Sequence, residues 1–171
     1  MTVNFSHKFQ ESWLFTLENT LANTTSSSEN FSSKDFNIDS QAVFPKISYL
    51  VGANTHFDLF YQFLSKENSI GNLETLKQHK YGVSFGLTGK DVTKGSINGE
   101  LNFINNTFEG DSNSPVGYQL LEGLQPGKNL TWNLIAQKKL TKYLDLNLSY
   151  FGRKTETSNR TIQQRKHLIS R

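Results

Sequence analysis

Residues 81–88 read Tyr-Gly-Val-Ser-Phe-Gly-Leu-Thr. Tyr81, Val83, Phe85 and Leu87 alternate with Gly82, Ser84, Gly86 and Thr88, a period of two that puts one set on each face of an extended strand. A helix could not gather these residues into one apolar stripe. The same period recurs along the chain: Leu144, Leu146, Leu148 and Tyr150 alternate with Asp145, Asn147 and Ser149, and Leu130, Trp132, Leu134 and Ala136 with Thr131, Asn133 and Gln137. Further rows are Val3, Phe5 and Phe9; Trp13, Phe15 and Leu17; Ile47, Tyr49 and Val51; Phe57, Leu59, Tyr61 and Phe63; and Ile97, Leu101 and Phe103. Eight strands follow, which for 171 residues is one domain.

The connections sort into two kinds. Tight breaks are expected at Lys8 to Glu11, Gly52 to Asn54, Gly89 to Asp91 and Leu140 to Lys142, where turn-forming residues cluster. Long polar segments separate them: Thr24 to Ser33, Lys66 to Thr75, Glu109 to Lys128 and Lys154 to Arg160. Strict alternation of short and long predicts an up-and-down antiparallel meander with tight turns at one end and long loops at the other. Outer-membrane barrels have that asymmetry. The expected strands over Gln41–Val51, Thr55–Leu64, Lys77–Thr88, Ser96–Phe108 and Tyr143–Arg153 reach the ~9–11 residues that a tilted membrane strand needs. Trp13, Tyr49, Tyr81, Phe108, Trp132, Tyr150 and Phe151 fall near strand ends, where an interfacial aromatic girdle would sit.

Composition narrows the classes. No run approaches the ~18 consecutive apolar residues of a membrane helix, whereas a barrel alternates and keeps a polar average, as the mean hydropathy of −0.53 allows. A net charge of +3, from 18 Lys and Arg against 15 Asp and Glu, is too small to point to nucleic acid. The basic residues of the tail, Arg160, Arg165, Lys166 and Arg171, lack the interleaved aromatics of a binding patch. The absence of cysteine removes disulfides, thiolate metal sites and cysteine nucleophiles together.

Chemistry-bearing residues are sparse. His56 and Asp58 stand two apart on one strand face, the beginnings of a metal or acid–base site, but His7, His79 and His167 supply no suitably spaced third ligand. Glu18, Asp58, Glu100 and Asp145 fall on polar faces, where lysines such as Lys8 and Lys80 are expected to pair with them. Gly-x-Ser-x-Gly, phosphate-loop and dinucleotide motifs are lacking. No catalytic, cofactor-binding or metal residue is assigned, and a non-enzyme without cofactor is expected. Gly82, Gly86 and Gly99 read as places where a curving strand needs a small residue.

The stretch from Gly117 to Asn159, with Leu-Gln-Pro-Gly-Lys-Asn at 124–129 and Leu-Asn-Leu-Ser-Tyr-Phe-Gly-Arg-Lys-Thr-Glu-Thr at 146–157, resembles the C-terminal part of large outer-membrane β-barrel proteins of the Bacteroidota. The resemblance covers about a quarter of the chain and implies a fold and a location, the bacterial outer membrane, with no catalytic residue to carry over. Those barrels finish on an aromatic residue, whereas this tail ends His-Leu-Ile-Ser-Arg. Met1 leads into the Val3 row without an export leader, so a piece of a longer barrel gene is expected.

The expectations are therefore an all-β antiparallel meander of about eight long strands over residues 1–156, forming a transmembrane barrel or part of one. Residues 157–171 form a basic tail, either disordered or an atypical last strand. The expected function is structural, conducting or loop-displaying, with Thr24 to Ser33 and Glu109 to Lys128 as contact surfaces. The expected partners are outer-membrane lipid and the rest of a larger barrel or outer-membrane complex, with no nucleic acid. The alternative is a soluble, lipocalin-like barrel whose apolar rows face inward around a small apolar ligand.

Overall fold

The computed structural model describes residues 1–27, 35–71, 74–89, 95–141 and 143–156. Its elements are β1 (Thr2–Gln10), β2 (Trp13–Ser26), β3 (Phe36–Val51), β4 (Thr55–Asn68), β5 (Thr75–Thr88), β6 (Ser96–Glu109), α1 (Pro115–Leu121), β7 (Gly127–Thr141) and β8 (Leu144–Thr155). All eight strands pair antiparallel with their sequence neighbours in one sheet of order β1 to β8. That is the expected meander. Among the described residues β1 and β8 do not pair with each other, so the sheet is open. The tail, with His167 and its basic residues, and residues 28–33 of the segment Thr24 to Ser33 lie outside the described residues.

Several strands run further toward the long-connection end than alternation suggested. β3 begins at Phe36 rather than Gln41, β4 continues to Asn68 rather than Leu64, and β8 to Thr155 rather than Arg153. Those of β4 and β8 are polar, and in that of β3 Phe36 and Ile38 lie on the face opposite the Val43 and Ile47 row, so the outward apolar pattern could not announce them. Side chains bond across the strands instead: the Asn23 amide donates to Asn37 at 2.8 Å and to Asp39 at 2.7 Å, and the Asn37 amide donates to Ser69 at 2.8 Å.

Connection lengths also depart from the expected alternation. The tight turn expected at Gly89 to Asp91 lies, past Gly89, outside the described residues, with β5 ending at Thr88 and β6 beginning at Ser96 as expected, while at the other end β4 and β5 are joined by only 69–74. The latter is drawn tight by Asn68, whose amide donates to the Ile70 carbonyl at 2.5 Å and to the Glu74 carboxylate at 2.7 Å.

Two sequence features shape the ladder. Pro45 lies inside β3 and has no N–H to donate, and the β3–β4 register is interrupted at Phe44 and Pro45 while resuming on either side. Four glycines each face a ring on the adjacent strand: Gly82 opposes Phe60, Gly86 opposes His56, Gly99 opposes Phe85 and Gly152 opposes Trp132. In every case the ring occupies the space that a Cβ would need, so the small residue serves ring packing as well as curvature. Gly82→Val would drive its side chain into Phe60. We expect a cost of about 1–3 kcal/mol, read as a lower urea midpoint for loss of strand signal.

Candidate functional site

Following the register from strand to strand assigns every side chain to one of two faces. One row runs Trp13, Tyr49, Phe57, Phe85, Gly99, Leu134, Tyr150, and the next Phe15, Ile47, Leu59, Val83, Leu101, Trp132, Gly152. This face is apolar and uncovered: Leu59 is 60% and Phe103 57% exposed. The opposite face carries Glu18, Lys46, Asp58, Ser84, Lys80, Glu100, Asn102 and Asn133, and it is the sheltered one, with Gln78 8% and Asn106 3% exposed. Ordinary burial is inverted. Contiguous apolar patches larger than a few hundred Å² are rare on proteins bathed in water on all sides.

The apolar band has a slope that the ladder measures. On β2 the hairpin end of the strand is Trp13, and six strand steps along the same row lies Tyr150, yet β8 continues six residues below it to Leu144 before its own hairpin. The upper edge slopes likewise. It follows Val43 and Phe63 on one row, falls one row to Tyr81, Phe103 and Leu130, and falls again to Tyr150 on β8. A drift of about one residue, ~3.3 Å, per strand spacing of ~4.8 Å means that the strands cross the band at roughly 35°.

The expected aromatic set divides by parity. Trp13, Tyr49, Tyr81, Trp132 and Tyr150 lie on the apolar face, with the tilted rings of Trp13 and Tyr49 4.9 Å apart beside the hairpin end, and those of Tyr61 and Tyr81 5.0 Å apart near the upper edge. Phe108 and Phe151 fall on the polar face instead, because each sits one residue out of phase with the apolar row of its strand.

Above the polar face at the long-connection end lies α1. Ser114 caps it, accepting from the Gly117 N–H at 2.9 Å, Pro115 opens it, and Glu122 closes it in the left-handed region at φ 53°. Val116, Leu120 and Leu121 are buried against Ile38 and Leu76, with Phe36 and Phe108 packed alongside. Lys66 of β4 donates to the Leu120 carbonyl at 3.3 Å and to the Glu122 carboxylate at 2.5 Å, and Arg153 of β8 donates to the Gly123 carbonyl at 2.6 Å. Asn106 and Asn129 both donate to the Gln125 carbonyl. The segment Glu109 to Lys128 is thus folded onto the polar face rather than displayed as a loop.

The expected lumen carboxylates are on that face, but with different partners from those anticipated. Asp58 accepts from the Ser84 hydroxyl at 2.9 Å and lies 3.7 Å from His56, Glu18 accepts from Thr20 at 3.2 Å, and Glu100 accepts from the Asn102 amide at 2.7 Å. Neutral neighbours reach these carboxylates, Ser84 from directly opposite Asp58 and Thr20 and Asn102 from two residues along the strand of Glu18 and Glu100, and no ion pair to Lys8 or Lys80 joins them among the described residues. His79 is on the apolar face, where its Nδ1 meets the Tyr61 hydroxyl at 2.7 Å. His7 shares that face, and no group of three His, Asp or Glu able to hold a metal occurs among the described residues.

No protein-family model matches the chain, and no curated protein matches it. The geometry therefore stands alone. Its most specific prediction here concerns Leu120, which has no exposed surface in its pocket beneath α1. Leu120→Ala should cost about 2–5 kcal/mol locally, read as faster proteolytic cleavage within residues 110–126 while strand content is unchanged.

Proposed function

We propose that the chain forms the wall, or part of the wall, of a bacterial outer-membrane β-barrel, with its apolar face against lipid and its polar face lining the lumen. The observation that carries this is the inversion of burial: an exposed apolar band on one face and sheltered Asn, Gln and Glu on the other. The slope of the band supports it, because roughly 35° is the tilt at which strands cross a membrane barrel when the band is level with the bilayer. Strands of 12 to 16 residues beyond β1 supply the length. The resemblance of residues 117–159 to Bacteroidota barrel ends agrees with this reading. Its role is structural or conducting and involves no catalysis.

The open edges belong to the same reading. Within hydrocarbon an unpaired backbone group costs several kcal/mol, so β1 and β8 need further strands as partners in the membrane. A lipocalin-like barrel would require the sheet to curl the other way, with α1 and its polar anchors on the outside.

Because the chain has no cysteine, any introduced thiol is unique. A fluorophore on Leu146→Cys should be quenched by nitroxide-labelled lipid, and one on Asn147→Cys should not, since successive side chains alternate. Quenching at neither site would fit a water-soluble barrel and end the membrane reading. The energetic companion is Leu146→Arg, which should cost about 2–4 kcal/mol near the bilayer midplane, against little for Asn147→Arg.

A further inference from the structure

The connection at residues 110–126 is anchored in a way that its own hairpin does not require. A loop joining β6 to β7 needs contacts only with those strands. This one is also held by Lys66 from β4 and Arg153 from β8, and its apolar side rests on Ile38 of β3 and Leu76 of β5. The anchors span the sheet from β3 to β8, so the segment lies across the sheltered face as a chord lies across an arc. Two cations approach the C-terminal end of α1 from opposite sides and bind carbonyls left without helical partners. The outer side of α1, marked by Tyr118 at 67% exposed, points away from the wall.

We propose that residues 110–126 form a strap on the lumen side of the wall that narrows the passage at the long-connection end, admitting small hydrophilic solutes and excluding large ones. The proposal rests on the barrel reading and deepens it, since a strap on the polar face is a strap inside the barrel. It also fixes a lower bound on the size of that barrel. An eight-stranded interior is just filled by side chains, whereas a helix with its side chains is ~10–12 Å across. A wall that carries α1 on its inner face has more strands than the eight seen here. The strap is seated by Val116, Leu120 and Leu121 along α1 and tied to β4 and β8 by individual hydrogen bonds at Leu120, Glu122 and Gly123, so removing the two cations frees those ties and leaves the apolar seat.

The test uses single thiols in the full chain inserted into vesicles. With Tyr118→Cys, a small impermeant maleimide should label and a maleimide carried on a polymer of several kilodaltons should not. Asn23→Cys, exposed on the opposite face at the same end of the sheet, should take both reagents equally. Adding Lys66→Ala and Arg153→Ala should restore polymer labelling at Tyr118→Cys. Quenching of a Leu146→Cys fluorophore by nitroxide lipid, checked in the otherwise unaltered chain and with the same two substitutions, establishes that each form is inserted. Its absence from the unaltered chain would count against the barrel and not the strap. Equal polymer labelling at Tyr118→Cys and Asn23→Cys would overturn the strap, as would polymer exclusion that the two substitutions leave unchanged.

Discussion

Everything in this structure depends on phase. In a ladder whose side chains alternate with period two, a slip of one residue moves a whole strand's apolar set to the other face. The register here keeps odd residues together from β1 to β6 and passes them to even residues on β7 and β8, so seven successive pairings preserve one apolar and one polar surface. Register shifts occur in only two pairings, at Phe9 and at Leu140, both beside a hairpin and both in the outermost pairs. There an extra residue disturbs the last pair of a ladder and nothing beyond it.

Phase also explains what the sequence disclosed and what it did not. Strand existence, order and face were legible because alternation such as that of Tyr81–Thr88 is a direct imprint of the pleat. Strand ends were not, because Asn37, Asp39 and Glu67 continue the ladder after the apolar row has stopped. Among the aromatics, proximity to a strand end was a weaker guide than parity. Phe108 and Phe151 have the same chemistry as Phe103 and Phe85 but the opposite phase, and they lie on the opposite face.

The fold of residues 110–126 was the largest omission, and its signals were present. Ser114 followed by Pro115 is a helix start, and Val116, Leu120 and Leu121 recur at helical spacing. About two turns of helix inside a polar segment give a periodicity too short to outweigh the loop-like composition around it. Glu122 obscured the other end, since a left-handed cap is normally announced by Gly or Asn. It is stabilised there by a partner 56 residues away, Lys66, which no local pattern could reveal.

The position of the apolar cluster brings these strands of argument together. Most domains bury their largest apolar cluster between layers and leave polar side chains at the surface. Among the described residues the cluster of Ile38, Leu76, Val116, Leu120 and Leu121 is instead small and lies at one end, on the face that carries the sheltered Asn and Gln side chains as well as Phe60 and Ile104. It stabilises the seat of α1, and among the described residues no second layer of protein covers the middle of the sheet on either side. The sheet's integrity in water would then depend on the backbone ladder and on cross-strand ring pairs such as Phe60 over Gly82 and Trp132 over Gly152. Among the described residues the broad apolar band of the sheet meets no second layer of protein. Apolar acyl chains would meet that band without a second protein layer, while the hydrated polar face keeps its Asn, Gln and carboxylate partners. On the barrel reading proposed above, the same division of solvents accounts for the exposed leucines of β8 and the sheltered asparagines of β6.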